Sequence, residues 1–318
     1  MDPAFNSVTA EAPAGIGNLA VGFDILGQAL ATPHDRVTLR VRPERGIEIV
    51  SVTGLVTELP GDPLKNCATA GIVRMFDDYQ ANFGVQVALE KGISLGSGMG
   101  GSAASAVAGV TAAAALLGIE PGMPALLSYA LDGEEAATGA RHADNVASAL
   151  LGGVALVSMT EGVTTLRRLV TPRNVFSVIV HPHIELETRR ARAVLPAQFA
   201  RAAVTEQAGL LAGFLAACYD NDLALLARSL RDVLVEPHRA SLIPAFAEVK
   251  AAAVERGALG CSISGGGPSM FAWCAGKSAA QSVGQAMRDA FGNAGVSSDA
   301  WVSEIDAPGA RVIARCAT

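Results

Sequence analysis

Apolar and polar residues alternate in short segments of the first half of the chain, and this alternation is typical of strands with one buried face. Val8–Ala12 predicts a first strand that ends at a breaker-rich turn, Pro13–Gly17. Asp35–Arg42, Ile47–Val52 and Val85–Lys91 predict three more strands. Strands with one polar face are common in antiparallel sheets, so we expect an α+β domain rather than a doubly wound parallel sheet.

Segments with the residue pattern of helices lie between and after these strands. From Asn66 onward, apolar residues recur every three or four positions and predict an amphipathic helix. Ala103–Leu117 is a run of good helix formers, and Met123–Ala137 predicts another helix. Val154–Met159 predicts a strand, and a hairpin-like segment, 163–170, follows it.

The second half of the chain has the order strand, helices, strand, strand, helix, strand, which suits a split βαβ, ferredoxin-like domain. We place the domain boundary near Thr171-Pro172, which gives domains of residues 1–170 and 171–318. The predicted strands of the second half are Phe176–Val180, Leu259–Ile263, Met270–Cys274, Val296–Ile305 and Val312–Cys316, and the predicted helical segments are Thr188–Val194, Gln198–Leu234, Ser241–Glu255 and Ser278–Phe291.

Composition narrows the class of protein. The chain has 318 residues, of which 50% are hydrophobic and 17% are charged, so it can bury a large core. Its net charge of −6 and the lack of a basic run argue against a nucleic-acid partner. Five scattered cysteines predict free thiols in a reducing compartment. No signal peptide or membrane span is evident, and we expect a cytoplasmic protein without a membrane partner.

A glycine-rich segment, Gly96-Ser-Gly-Met-Gly-Gly-Ser102, precedes the alanine-rich helix and indicates a phosphate-binding loop. Glycines let backbone amides approach an anion, and the start of a helix attracts negative charge. A Walker A loop is excluded because no lysine follows the glycines. The dinucleotide fingerprint Gly96-x-Gly98-x-x-Gly101 matches literally, but the preceding strand alternates and the downstream Glu120 falls in a turn. A plain glycine-rich surface loop remains the alternative.

Two polar residues, Asn18 and Asp24, follow the first predicted strand closely. Such residues commonly serve turns and helix caps. A small-substrate site is the other interpretation, and these two residues alone do not decide between them.

Three separated segments resemble the three motifs of the GHMP kinases, the family named for galactokinase, homoserine kinase, mevalonate kinase and phosphomevalonate kinase. They are Pro13–Asp24, the glycine loop Gly96–Ser102, and Ile263–Ser269, in the family's order. Further segments resemble the homoserine kinase branch of that family over nearly the full length: His142-Ala-Asp-Asn-Val146, Thr188-x-x-x-Arg192, and Glu236-Pro-His-Arg239.

The resemblance implies a two-domain α+β GHMP kinase fold, with a ribosomal-protein-S5-domain-2-like N-terminal domain and a ferredoxin-like C-terminal domain. It implies that the chain uses ATP and Mg²⁺ to phosphorylate the hydroxyl of L-homoserine, giving O-phospho-L-homoserine for threonine biosynthesis. A homodimer is implied only by the family. Two alternatives stay open: another small-molecule kinase of the family, and a non-catalytic nucleotide sensor on the same fold.

The resemblance also assigns roles to residues. Ser102 and Glu134 are the implied magnesium ligands, since Mg²⁺ prefers oxygen ligands. Arg192 and Arg239 are the implied partners of the substrate carboxylate, with Arg192 also in a catalytic role. The remaining implied substrate contacts are Asn18, Asp24 and Thr188. The implied nucleotide-binding residues are Asn66, Ser94, Leu95, Gly96, Ser97, Gly98, Met99, Gly100, Gly101, Ser102, Ala103 and Ala104.

The catalytic base is left open at this stage. Asp144 and Asn145 are interpreted as a base with a polarising neighbour, by analogy with the mevalonate kinases. The alternative is that they only orient His142 and its loop, and that the phosphate accepts the proton. For Asn66, helix capping is the alternative to nucleotide binding.

The chain departs from the homoserine kinase pattern at small residues. Gly15, Gly101 and Gly266 stand where serine is common, Val21 stands where proline is common, and Ser94 stands where the loop usually has proline. None of these changes removes a charged group, so we expect catalysis to be retained. The loss of a hydroxyl at Gly101 is expected to weaken nucleotide binding.

Overall fold

A computed structural model describes residues 1–317 as eleven strands and ten α-helices. The strands are β1 (Ser7–Gly17), β2 (Leu26–Arg42), β3 (Gly46–Gly54), β4 (Gly84–Lys91), β5 (Val154–Thr160), β6 (Val163–Arg168), β7 (Val175–Pro182), β8 (Gly260–Ile263), β9 (Met270–Ala275), β10 (Ser298–Glu304) and β11 (Arg311–Cys316). The helices are α1 (Ala70–Asp78), α2 (Gly101–Leu117), α3 (Met123–Thr138), α4 (Ala143–Leu151), α5 (Thr188–Ala193), α6 (Arg201–Asp220), α7 (Leu223–Ser229), α8 (Glu236–Arg239), α9 (Phe246–Glu255) and α10 (Lys277–Asn293), with a 3₁₀ turn at Ala240–Leu242.

The first sheet has seven strands in the order β11-β1-β2-β4-β3, and β5 joins it by pairing with both β2 and β6. Its pairs are antiparallel except for β3 with β4. The expectation that Val312–Cys316 closes the second domain is wrong, because β11 pairs with β1 instead. The boundary near residue 170 therefore separates the two sheets for every described strand except β11.

The predicted turn at Pro13–Gly17 is also wrong, because β1 continues to Gly17. The register with β2 shifts between Pro13 and Gly15, and pairing then resumes with Gly15 opposite Ala29. A bulge accommodates a proline and a glycine inside a strand without ending it. As a result, the strand delivers Asn18 directly into the centre of the molecule.

Helix α2 packs against β1, β2, α3 and α4, and nearly all its residues are buried. Its alanines and glycine allow close approach: a Cβ added at Gly109 would lie 2.1 Å from the carbonyl oxygen of Ala68. The alanine-rich segment therefore forms the predicted helix, and that helix lies in the core. Helix α1 begins at Ala70, four residues after Asn66, whose carbonyl accepts bonds from the first amides of that turn.

The second sheet has four strands in the order β10-β7-β9-β8, all antiparallel. Numbered within the domain, this is the order of a ferredoxin-like fold, and it confirms the predicted split βαβ arrangement. Helices α9 and α10 pack on this sheet, where Val178, Val180, Met287 and Phe291 form a buried cluster.

Among the described residues, α6 is long and apolar enough to cross a membrane by length and composition alone. Only 28% of its most apolar window is buried in the protein. Its buried residues, including Leu210, Phe214 and Ala217, join the same core cluster as the first sheet.

Candidate active site

The glycine loop, Gly96–Ser102, connects β4 to α2. Gly96, Gly98 and Gly100 have φ values of 58°, 74° and 68°, a region that residues with a Cβ adopt only at a cost. Gly100 is the N-cap of α2, and Ser102 lies in its first turn. The free amides of this turn and the positive end of the helix dipole make the loop an anion-binding element.

Segments of the second domain hold the glycine loop by its carbonyl groups. The amide of Leu186 donates to the carbonyl oxygen of Gly96 at 3.0 Å. The hydroxyl of Ser264, in the third motif, donates to the carbonyl oxygen of Gly98 at 2.7 Å. Residues of the C-terminal half of the chain therefore stabilise the observed shape of the loop.

A buried ion pair lies behind the C-terminal end of the glycine loop. Lys91, the last residue of β4, pairs with Asp35, and their side chains are 2% and 1% exposed. The ammonium of Lys91 also donates to the carbonyl of Gly101 at 3.0 Å and to the hydroxyl of Ser105 at 2.7 Å. A buried pair of this kind tolerates little movement, since each ion depends on its partner. It therefore positions the start of α2 from behind.

A cleft of about 410 Å³ lies between the glycine loop and the second domain. It brings together residues from all three motifs. The predicted site residues that line it are Asn18, Asp24, Ser94, Leu95, Gly96, Ser97, Gly98, Gly100, Gly101, Ser102, Glu134, Asp144, Asn145, Thr188, Arg192 and Arg239.

Asn18 links the first motif to the other parts of the cleft. Its amide donates to Oδ2 of Asp144 at 3.2 Å, and its side-chain Nδ2 donates to the carbonyl of Gly265 at 3.0 Å. Its Oδ1 accepts from the amide of Asp24 at 3.0 Å. Both ends of its side chain are thus engaged within the protein, so Asn18 fixes the positions of Asp24 and Asp144.

Two arginines flank Phe23 at one end of the cleft, with their guanidinium carbons 5.5 Å (Arg192) and 5.4 Å (Arg239) from the ring centre. Arg192 donates to Oδ1 of Asp24 at 2.7 Å, and Arg239 donates to the carbonyl of Ala191 at 2.9 Å. Burial, followed by the charge of Arg192, lowers the pKa of Arg239. Two neighbouring cations, one of them buried, favour the binding of a carboxylate here.

Asp144 lies in the first turn of α4, with Asn145 beside it. Oδ2 of Asp144 accepts the amide of Asn18, whereas its buried Oδ1 has no hydrogen-bond partner. Burial, and then the charge of Asp24, raise the pKa of Asp144 to about 6. A Cβ added at Gly17 would lie 2.8 Å from Oδ1 of Asn145, so β1 and α4 touch directly.

Glu134, near the end of α3, is connected to the arginine end of the cleft through His142. Nδ1 of His142 lies 2.8 Å from Oε1 of Glu134, and Nε of Arg192 lies 3.4 Å from Nε2 of His142. Since an arginine nitrogen can only donate, Nε2 is the acceptor and Nδ1 carries the proton. This assignment follows from the hydrogen-bond network, and it makes Nδ1 of His142 the donor to Glu134.

The donor set fits a magnesium ion. Oε2 of Glu134 is buried without a hydrogen-bond partner, and the same cleft is lined by the hydroxyl-bearing Ser102. The described residues contain no ready-made group of three His, Cys, Asp or Glu ligands. Mg²⁺ commonly keeps several waters and binds one or two protein oxygens together with phosphates. Glu134 and Ser102 are residues of that kind.

Four of the predicted nucleotide-binding residues do not line the cleft: Asn66, Met99, Ala103 and Ala104. Asn66 is buried, and its side chain donates to the carbonyl of Pro60 at 2.9 Å and accepts from the amide of Ala68 at 3.0 Å. These bonds match the turn-capping alternative, and its nucleotide role stays a prediction. The other three side chains are buried in the core.

The sequence predicted no site role for Phe23, and none for His142 beyond its place in a motif. Both line the cleft. Their signal was adjacency, since Phe23 precedes Asp24 and His142 starts the Asp144 segment. The neighbouring Arg141 does not line the cleft, and its guanidinium pairs with Glu135 at 2.9 Å.

Comparison with known proteins agrees with this geometry. The family model described as the GHMP kinases N terminal domain matches residues 66–153, and the model of the GHMP kinases C terminal matches residues 214–293. The chain therefore belongs to the GHMP kinase family, whose fold and phosphate loop it has.

Within that family the chain is similar to homoserine kinases over its whole length. A homoserine kinase of Xylella fastidiosa strain M12 is 43% identical over 98% of this chain and 95% of its own length. One from Chlorobium phaeobacteroides strain BS1 is 40% identical over 96% of this chain and 99% of its own length. The crystal structure of homoserine kinase from Cytophaga hutchinsonii superimposes with a TM-score of 0.93, at 43% identity and with 97% and 98% of the two chains covered. The chain groups with the homoserine kinases in sequence and in fold.

Proposed function

We propose that this protein transfers the γ-phosphoryl group of ATP to the side-chain hydroxyl of L-homoserine, giving O-phospho-L-homoserine and ADP, as a step of threonine biosynthesis. The observation that carries the proposal is the joining of a phosphate-binding loop and a pair of substrate-facing arginines in one cleft. The similarity to homoserine kinases over the full length supports the same substrate. We further propose a cytoplasmic enzyme, and a homodimer by analogy with the family.

The amino-acid end of the substrate has a place in this geometry. Homoserine carries a carboxylate, an ammonium and a terminal hydroxyl. Arg192 and Arg239 supply two cations for the carboxylate, while Asp24 is the anionic partner for the ammonium. Thr188 lies one helical turn before Arg192 and lines the same cleft. A sugar or a simple alcohol has no carboxylate with which to use both arginines.

Phosphoryl transfer depends mainly on positioning and on neutralising charge. The amides of Gly96–Ser102 would hold the nucleotide phosphates, and Glu134 and Ser102 would hold a magnesium ion, which would neutralise phosphate charge. Asp144 is the residue of the cleft best suited to act as a general base, because its raised pKa of about 6 lies near neutral pH and its Oδ1 has no hydrogen-bond partner. The side chain of Asn145 lies close to both Gly17 and Gly100, so it faces the same end of the cleft.

The test is a measurement of ADP release with purified protein, Mg²⁺ and ATP. Homoserine, threonine, serine, mevalonate, shikimate and galactose are compared as acceptors, and mass spectrometry identifies the product. Turnover with homoserine well above every other acceptor is the expected result. Turnover with a different alcohol would overturn the substrate, and ATP binding without turnover on any acceptor would favour a nucleotide sensor.

A further inference from the structure

The backbone that carries Asn18 and Asp24, two of the residues assigned to the substrate site, has an unusual conformation. Asn18, Leu19 and Ala20 have φ values of 68°, 45° and 58°, and Asp24 has a φ of 61°. Consecutive residues with a Cβ rarely occupy the left-handed region, because the Cβ approaches the following carbonyl. Such a segment persists only when its surroundings fix it.

Gln207 of α6, in the C-terminal half of the chain, provides that support. Its Nε2 donates to the carbonyl oxygens of Ala20 at 3.2 Å and of Val21 at 3.1 Å. Its Oε1 accepts from the amide of Val233 at 3.0 Å. Gln207 is 7% exposed, so without it these carbonyls and this amide would lose their partner in a place that water reaches poorly.

Val233, whose amide donates to Gln207, belongs to the loop that leads into α8 and Arg239. Next to Val233, the carboxylate of Asp232 accepts the amides of Leu234, Val235 and Glu236 at 2.8, 2.8 and 3.0 Å. Glu236 begins α8, and Arg239 ends it. The amide that Gln207 holds therefore lies just before the turn from which Arg239 is presented.

We propose that Gln207 is a positioning residue for the acceptor pocket, the end of the cleft lined by Asn18, Asp24, Arg192 and Arg239. It holds the left-handed segment bearing Asn18 at a fixed distance from the loop that leads to Arg239. This inference rests on the proposed function only in taking this pocket as the acceptor site. The glycine loop is supported separately, by Lys91 and Asp35. Loss of Gln207 should therefore weaken acceptor binding and leave nucleotide binding nearly intact.

Gln28 is a matched control, because it is another buried glutamine that joins the two halves of the chain. Its Nε2 donates to Oγ of Ser177 at 2.7 Å, and its Oε1 accepts from Nε1 of Trp273 at 2.8 Å. None of these partners lies in the segment that carries Asn18 or in the loop before α8. Replacing Gln28 thus removes a similar set of buried hydrogen bonds but leaves the hydrogen bonds that support the acceptor pocket in place.

The experiment measures KM for acceptor and for ATP, together with kcat and thermal stability, in Gln207→Met and Gln28→Met. For Gln207→Met we expect the acceptor KM to rise about tenfold or more, because one or two buried hydrogen bonds are lost. The ATP KM should change less than about threefold. For Gln28→Met we expect both KM values to stay within about threefold of the unsubstituted protein. Gln207→Glu keeps the acceptor for Val233 but removes the donor, and it should reproduce the acceptor-specific effect.

Several results would overturn the proposal. These are an unchanged acceptor KM in a folded Gln207 variant, equal rises of both KM values, or the same acceptor-specific rise in Gln28→Met. Failure of both Gln207 variants to fold would also refute it, because Gln207 would then serve the fold as a whole. If the unsubstituted protein phosphorylates an alcohol other than homoserine, the proposed function fails, and the same comparison made with that alcohol still decides the role of Gln207.

Discussion

The buried carboxylate of Asp144, which we propose as the general base, should lower the free energy of unfolding at neutral pH. Its carboxyl is 2% exposed, one of its oxygens has no partner, and burial raises its pKa from 3.8 to about 6. A shift of about two units corresponds to ~3 kcal/mol of free energy against the charged form. Asp144→Asn should therefore raise the free energy of unfolding by up to ~3 kcal/mol at pH 7.5. An asparagine Oδ1 can still accept the amide of Asn18.

The sign of the pH dependence follows from the same shift. The folded pKa lies above the unfolded one, so the folded protein binds the proton more tightly, and this contribution to stability is lost as pH rises from about 4 through about 6. The stability advantage of Asp144→Asn should therefore be largest above pH 7 and should shrink as pH falls toward 4.

The assay is urea unfolding of both proteins at several pH values, with kcat measured on the same preparations. If Asp144 acts as the base, kcat should fall by about 10²-fold or more in the variant. Asp220→Asn, at the exposed end of α6, is the control and should change stability by no more than about 0.5 kcal/mol. An Asp144→Asn protein that unfolds at lower urea, by an amount independent of pH, would refute the reasoning about burial. An unchanged kcat would refute the role as base and leave the phosphate as proton acceptor.

Four further predictions concern single elements of the site. Arg192→Ala should raise the acceptor KM by about 10- to 100-fold and the ATP KM far less; equal rises would remove its assigned role. Glu134→Gln should raise the Mg²⁺ concentration needed for half-maximal activity by about tenfold, measured by titration at fixed ATP. Gly266→Ser should raise the acceptor KM about threefold or more, because a Cβ there lies 3.2 Å from that of Ala191, and Ala191→Gly in the same chain should reverse the effect. Lys91→Met should lower the free energy of unfolding by about 3–5 kcal/mol, measured by urea unfolding, since it leaves a buried carboxylate unpaired.

Local patterns in the sequence were sufficient for several parts of the site. The glycine loop was recognisable because backbone approach to a phosphate needs glycines before a helix, and these residues are contiguous. The ferredoxin-like sheet was predictable because its order of strands and helices follows the chain. Asp24, Glu134 and Arg192 were assigned by resemblance to a family's motifs, and all three line one cleft.

Other features depended on contacts between distant residues. The pairing of β11 with β1 brings the last described strand beside the first, and nothing in the local sequence of either strand specifies that partner. The bulge that carries β1 past Pro13 was mistaken for a turn because proline and glycine ordinarily end strands. Asn66 looks the same in sequence whether its amide meets a nucleotide or caps its own turn.

The sequence by itself determined which chemical groups are available: a glycine loop that suits a phosphate, carboxylates that suit a metal or a proton, and arginines that suit a carboxylate. Tertiary structure alone decided how these groups act on one another. The pKa of Asp144 is raised because folding buries it near Asp24, a residue 120 positions away in the chain. Gln207 gains its place because α6 packs against a left-handed segment of the other domain. Burial, hydrogen-bond geometry and electric field depend on distance in space, which the linear order of residues does not contain.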